Sequence, residues 1–166
     1  MKRALILVFG IGLLSVGGVA QDKPAGALRS DFVIVVRELD VAASKKLGLK
    51  PTEFKSSAGI VTRDEVIAQM TLLFDKYQPK FRVTPRPYDV YPEIIDKHNS
   101  DPKISEQLRK LSRWGVIGPV SQIVTNKGNS LSEEELGDAV GYFYSQIMIY
   151  VHQPDPKWTP ALSGGE

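Results

Sequence analysis

The chain has 166 residues, with 21 Lys and Arg against 19 Asp and Glu and no cysteine. That length suits one ordinary domain, and without thiols a disulfide framework, thiolate chemistry and a lipid-modified cysteine are excluded. Lys2 and Arg3 account for the whole charge excess, since 21 − 2 leaves 19 basic residues against 19 acidic. The near-neutral remainder lacks the concentrated basic face of a nucleic-acid binder or a polybasic membrane-surface protein.

Lys2 and Arg3 lead into an uncharged, mostly apolar run from Ala4 to Val19, which closes on the small residues Gly18-Val19-Ala20. This is the pattern of a secretory signal peptide, so residues 1–20 are expected to be cleaved after Ala20. The alternative is an uncleaved membrane anchor. The run is barely long enough for one, and Gly10, Gly12, Gly17 and Gly18 weaken it. After cleavage no stable membrane span is expected. Residues 21–30 are polar and small, with Pro24 and Gly26, and read as a flexible leader.

From Asp31 to Leu47, the residues Phe32, Val35, Val36, Leu39, Ala43 and Leu47 recur at helical spacing. The β-branched run Val33–Val36 would also suit a buried strand. Helix is preferred because Arg37, Glu38, Asp40 and Ser44–Lys46 then fall mainly on the opposite face, and Gly48 is a natural stop. A loop with Pro51 and Gly59 follows. Thr62 fits an N-cap with Glu65 at N3, a capping box, and Val61 with Val66 makes a hydrophobic staple. Val66, Ile67, Met70, Leu73, Phe74 and Tyr77 continue one apolar face until Pro79. Lys80 to Pro92 contains Pro85, Pro87 and Pro92 and reads as extended linker. Glu93 to Asp96 reads as a short helical turn.

Asp101-Pro102 is a strong helix start, a capping acid with proline at the first helical position. Ile104, Leu108, Leu111 and Trp114 line that helix, and Gly115 stops it. A loop runs through Asn129. Ser132 and Glu135 then repeat the capping box, and Leu131 and Leu136 the staple. The helix they open runs to Val151, with Tyr142, Tyr144 and Tyr150 widening its apolar face. Residues 153–166 read as a loose tail. The order helix, glycine, loop, capped helix thus occurs twice, in units of about 31–78 and 88–152. The expected fold is mainly α, a compact helical domain over 31–152 built of two helix-loop-helix units.

These residues resemble the S-layer homology domain over roughly Ile60 to Gln146. Tyr88-Asp89-Val90 resembles the aspartate-valine opening of that family's unit. Leu108, Leu111 and Gly115-Val116-Ile117-Gly118 resemble its first helix and turn. Leu131-Ser132-Glu133-Glu134-Glu135 sits where the family has a threonine-arginine motif, and Val61-Thr62-Arg63-Asp64-Glu65 is closer to that motif. Glu133 replaces the arginine in the second unit, and Lys103-Ile104 stand in place of the family's Trp-Ala pair. The family usually works as three units, and two are counted here. The resemblance implies an exported, non-catalytic envelope module that binds cell-wall polysaccharide or peptidoglycan, or an envelope protein.

Arg63 is the side chain with binding chemistry in that motif. A guanidinium beside a helix N-terminus can grip an anionic group in bidentate fashion, while Thr62 and Glu65 are explained by capping alone. Arg63, Thr62, Gly115 and Gly118 are therefore the candidate ligand-binding residues. Oligomerisation that completes a missing third unit, without glycan binding, is the alternative. The stretch ending at Glu135 matches a calcium loop poorly. His98 and His152 lie near helix ends in no zinc spacing and read as solvated. No nucleophile elbow, P-loop or dinucleotide motif occurs, and no carboxylate stands alone in an apolar run. No metal, cofactor or catalysis is expected, with a small exported hydrolase using carboxylates as the third reading.

Overall fold

The computed structural model describes residues 26–55, 57–82, 92–118, 120–126 and 128–152. The expected signal peptide 1–20, the Tyr88-Asp89-Val90 segment and the expected tail 153–166 lie outside them. The described chain is mainly helical: α1 (Arg29–Leu47), α2 (Arg63–Tyr77), a 3-10 turn Gln78–Lys80, α3 (Pro92–His98), α4 (Pro102–Arg113), α5 (Gln122–Thr125) and α6 (Glu133–Val151). Among the described residues no helix is long and apolar enough to cross a membrane.

Local chemistry sets most of these boundaries. Both capping boxes form: Thr62 Oγ1 accepts from the Glu65 amide, Ser132 Oγ from the Glu135 amide, and each glutamate reaches back to the N-cap amide. Such a cap contributes about 1 kcal/mol. Asp101 accepts from the Lys103 amide at 2.8 Å and Pro102 opens α4. The first helix of each unit ends alike. Gly48 and Gly115 sit at φ 66° and 67°, and the amides of Leu49 and Val116 reach back to the carbonyls of Ser44 and Leu111, the glycine-terminated C-cap.

The two units interlock. α1 packs on α6 and α2 packs on α4, so the leading helix of each unit lies mainly against the capped helix of the other. Their loops also meet. The Ala27 amide donates to Leu131 O at 2.8 Å, the Val61 amide to Ala27 O at 3.0 Å, and the Arg63 amide to Asn129 O at 3.0 Å. Residues 26–30 of the expected flexible leader therefore belong to the fold. Ala27 is buried between the two helix starts, and a Cβ on Gly26 would stand 2.7 Å from Ile60 Cγ2. Helix α1 accordingly begins at Arg29, two residues earlier than its apolar spacing predicts.

One continuous core joins the units, with Ile67, Met70, Leu73, Phe74, Leu108, Leu111, Phe143 and Ile147 fully buried. Phe74, Phe81, Trp114 and Tyr150 form an aromatic cluster with centroids 5.1–6.1 Å apart. The Tyr150 hydroxyl donates to the Trp114 carbonyl. Two expectations change. The buried stripe of α1 is rotated: Val33, Asp40 and Ser44 are inside, and Val35 is 48% exposed. Residues 116–129 hold a helical turn, α5, which buries Ile123 and Val124. Its four residues are too few for a periodicity to register.

Candidate functional site

Arg63 follows the cap of α2, where its side chain was expected to face a ligand. It is instead 6% exposed. Its Nε donates to Ile123 O at 2.8 Å, and its Nη2 donates to Asn99 Oδ1 and to Val124 O at 3.3 Å. Asn99 Nδ2 in turn donates to Ile95 O at 2.7 Å and to Val124 O at 3.2 Å. The guanidinium thus clamps α2 to α3 and α5. Burial lowers its pKa and the neighbouring Asp64 carboxylate opposes that. Asp64 lies 3.6 Å from Nη1. An anion at this point would compete with carbonyls and meet a carboxylate.

A polar cleft of about 190 Å³ still opens beside Arg63, lined by Asp64, His98, Asn99, Asp101, Asn126 and Asn129 among others. Its amides are largely engaged locally: Asn129 Oδ1 accepts from the Asp64 amide and Asn126 Oδ1 from the Gly128 amide. His98, expected to be solvated, has its Nδ1 shut off from solvent without a hydrogen-bond partner.

The other three candidates do not join Arg63 in that cleft. Thr62 is engaged with Glu65 through its amide, at 2.8 Å, and its hydroxyl. Gly115 serves the left-handed cap of α4. Gly118 accepts from the Ser121 hydroxyl at 2.7 Å and borders a separate apolar hollow with Ile117, Ile123 and Tyr142. Burial raises the Glu65 carboxyl, but the Thr62 amide and Arg29 more than reverse this and hold it below the ordinary range. Arg29 Nη2 lies 2.9 Å from Glu65 Oε1, so this carboxylate is committed too.

The sequence reading missed one charged cluster. Asp40 is fully buried. Its carboxylate accepts from Lys76 Nζ at 2.6 Å, the Tyr77 hydroxyl at 2.5 Å, the Ser44 hydroxyl at 3.0 Å and the Thr52 amide. Burial pushes Asp40 up, but these donors, Lys76 and Tyr77 foremost, pull it below the ordinary carboxylate range. Burial and the adjacent Asp40 push the Tyr77 hydroxyl far up. The cluster pins α1, the following loop and α2 together, and Asp40 is ionised, unsuited to donate a proton. A polar residue flanked by Leu39 and Val41 was its only signal.

An open apolar feature lies elsewhere. A groove of about 540 Å³ runs between α1 and α6. Phe32, Val35 and Leu39 line it from α1, and Leu136, Val140 and Tyr144 from α6. Val35 is 48% and Tyr144 39% exposed. The charged residues on its lining are Asp31, Glu38 and Glu133, all carboxylates. Gly137 and Gly141 also line it, and a Cβ on either would meet nothing within 4 Å. No protein-family model, curated protein or solved structure matches this chain.

Proposed function

We propose that this protein is an exported, non-catalytic module of the cell envelope that engages an envelope protein through the groove between α1 and α6. The signal-peptide pattern at residues 1–20 supports export. The groove carries the binding reading. It is an apolar concavity of about 540 Å³ on the described surface, and exposed apolar patches of this kind mark interaction sites. A photo-crosslinking amino acid at Val35, introduced in the producing cells, should yield a discrete heavier adduct that Gly141→Leu removes. Absence of any adduct, or an adduct indifferent to Gly141→Leu, counts against the reading.

A second reading keeps the cell-wall glycan as ligand and uses the polar cleft beside Arg63. The carboxylates of Asp64 and Asp101 and the carboxamides of Asn126 and Asn129 on its lining are the observation that favours it, since such groups hydrogen-bond hydroxyls. Sedimentation with purified peptidoglycan sacculi tests it. Glycan binding requires the protein in the pellet and its release by Asn126→Ala. Protein that stays in the supernatant removes this reading.

A further inference from the structure

The groove described above has a definite shape and charge. Its walls run from Leu28 to Leu39 on α1 and from Glu133 to Tyr144 on α6. At 1.5 Å per residue each wall is about 16 Å long. The N-termini of the two helices are held side by side by the Ala27–Leu131 hydrogen bond, so the walls advance together. The floor is apolar, and carboxylates stand at both ends, with Asp31 and Glu133 near the start and Glu38 near the finish.

The glycines give the second observation. Counted from the N-caps Thr62 and Ser132, Gly137 takes the place of Ile67, and Gly141 that of Thr71. Ile67 and Thr71 are buried in α2. Neither glycine of α6 has a positive φ, and neither is crowded. Glycine in a helix interior is destabilising relative to alanine, so the fold itself offers no reason for either. Bare, exposed backbone on the α6 wall of the groove allows another backbone to approach closely.

We propose that this groove receives a cationic amphipathic helix of about three turns from a partner protein, its apolar stripe over Gly137 and Gly141 and its lysines or arginines facing Asp31 and Glu38. An apolar channel between two helices is the receiving half of helix-in-groove recognition. The carboxylate rim selects the sign of the flanking charges. A second copy using the same face in a two-fold dimer brings acid against acid, and an anionic lipid surface meets the same repulsion. The inference rests on the groove reading above and adds the chemistry of the partner.

Two synthetic 15-residue helices test it, one with a leucine stripe flanked by lysines and one with the same stripe flanked by glutamates. The lysine peptide should bind the purified protein at least tenfold more tightly than the glutamate peptide, and the margin should shrink with added salt. The amide resonances of Gly137 and Gly141 should shift on binding. Gly141→Leu, which fills the channel without lowering the thermal midpoint, should weaken binding at least tenfold. Equal binding of both peptides, shifts confined to other residues, or Gly141→Leu without effect overturns the proposal. So does light scattering that finds a dimer which Gly141→Leu dissociates, because a second copy then fills the groove. If the Val35 adduct forms in cells and the lysine peptide fails, the groove reading survives and the cationic-helix inference falls.

Discussion

Counted from their N-caps, α2 and α6 place apolar side chains in the core at the same steps. Val66 matches Leu136, Met70 matches Val140, Leu73 matches Phe143, and Tyr77 matches Ile147, and all eight are buried. At three other steps the helices part. Ile67, Thr71 and Phe74 of α2 are buried, whereas α6 carries Gly137, Gly141 and the 39% exposed Tyr144. The step after the cap differs as well. Arg63 turns inward to Ile123 O and Asn99, while Glu133 borders the groove. One starting pattern therefore gives two different flanks: α2 on α4 borders a cleft of about 580 Å³ lined by charged residues such as Glu106, Arg109 and Arg113, and α1 on α6 borders the apolar groove. The difference teaches that helix-start chemistry positions an element, while the residues a turn or two later decide whether its flank is filled.

The sharpest way to break this comparison is to truncate its matched aromatics. Phe74→Ala should cost about 3–5 kcal/mol, because it empties a fully buried ring site. The matched Tyr144→Ala should cost less than about 1 kcal/mol, as a surface change does. Denaturant melts of both variants measure the contrast, and equal losses would mean that Tyr144 is as tightly packed as Phe74.

Asp40 ties α1 to α2, and Asp40→Ala should cost about 3 kcal/mol by stranding its partners. Its pKa is depressed in the folded state, so its stabilisation is present above the unfolded value of about 3.9. That stabilisation is lost as pH falls from there through the lower folded value. Melts between neutral pH and pH 2 should show a decline below about pH 4 that Asp40→Asn flattens. Part of the slope will persist in that variant, because Glu65 is depressed in the same direction.

The matched residues after the caps come next. Arg63→Ala leaves Asn99 and two carbonyls short of a donor and should cost about 1–3 kcal/mol, whereas Glu133→Ala should stay within about 0.5 kcal/mol. If Arg63→Ala leaves the melt unchanged, the clamp is not structural and the arginine becomes available to a ligand. The smallest expected effect has the opposite sign. Gly137→Ala or Gly141→Ala should raise stability by up to about 1 kcal/mol, since neither added methyl meets a neighbour within 4 Å. A loss in either variant would show a packing need for the glycine and remove its link to the groove.

Much of the fold was legible in the residues. The caps at Thr62, Asp101 and Ser132 and the stops at Gly48 and Gly115 stand where local patterns predicted, because each depends on hydrogen bonds within a few residues. The candidate site was legible only as residue types. The arginine in Thr62-Arg63-Asp64-Glu65 drew notice for its chemistry, yet its acceptors lie 36 to 61 positions away. Asp40 was assigned to a polar face because Lys76 and Tyr77, 36 and 37 positions on, are invisible to a helical window.

By itself, then, the sequence determined the capped starts of α2, α4 and α6 and the glycine stops of α1 and α4, since those outcomes follow from short-range hydrogen bonding. Only the tertiary structure decided that α1 packs on α6 and α2 on α4, that Arg63 and Asp40 turn inward, and that Gly137 and Gly141 line an apolar groove. The physical reason is that burial, pairing and open space belong to neighbours distant in the chain, and packing alone brings those neighbours together.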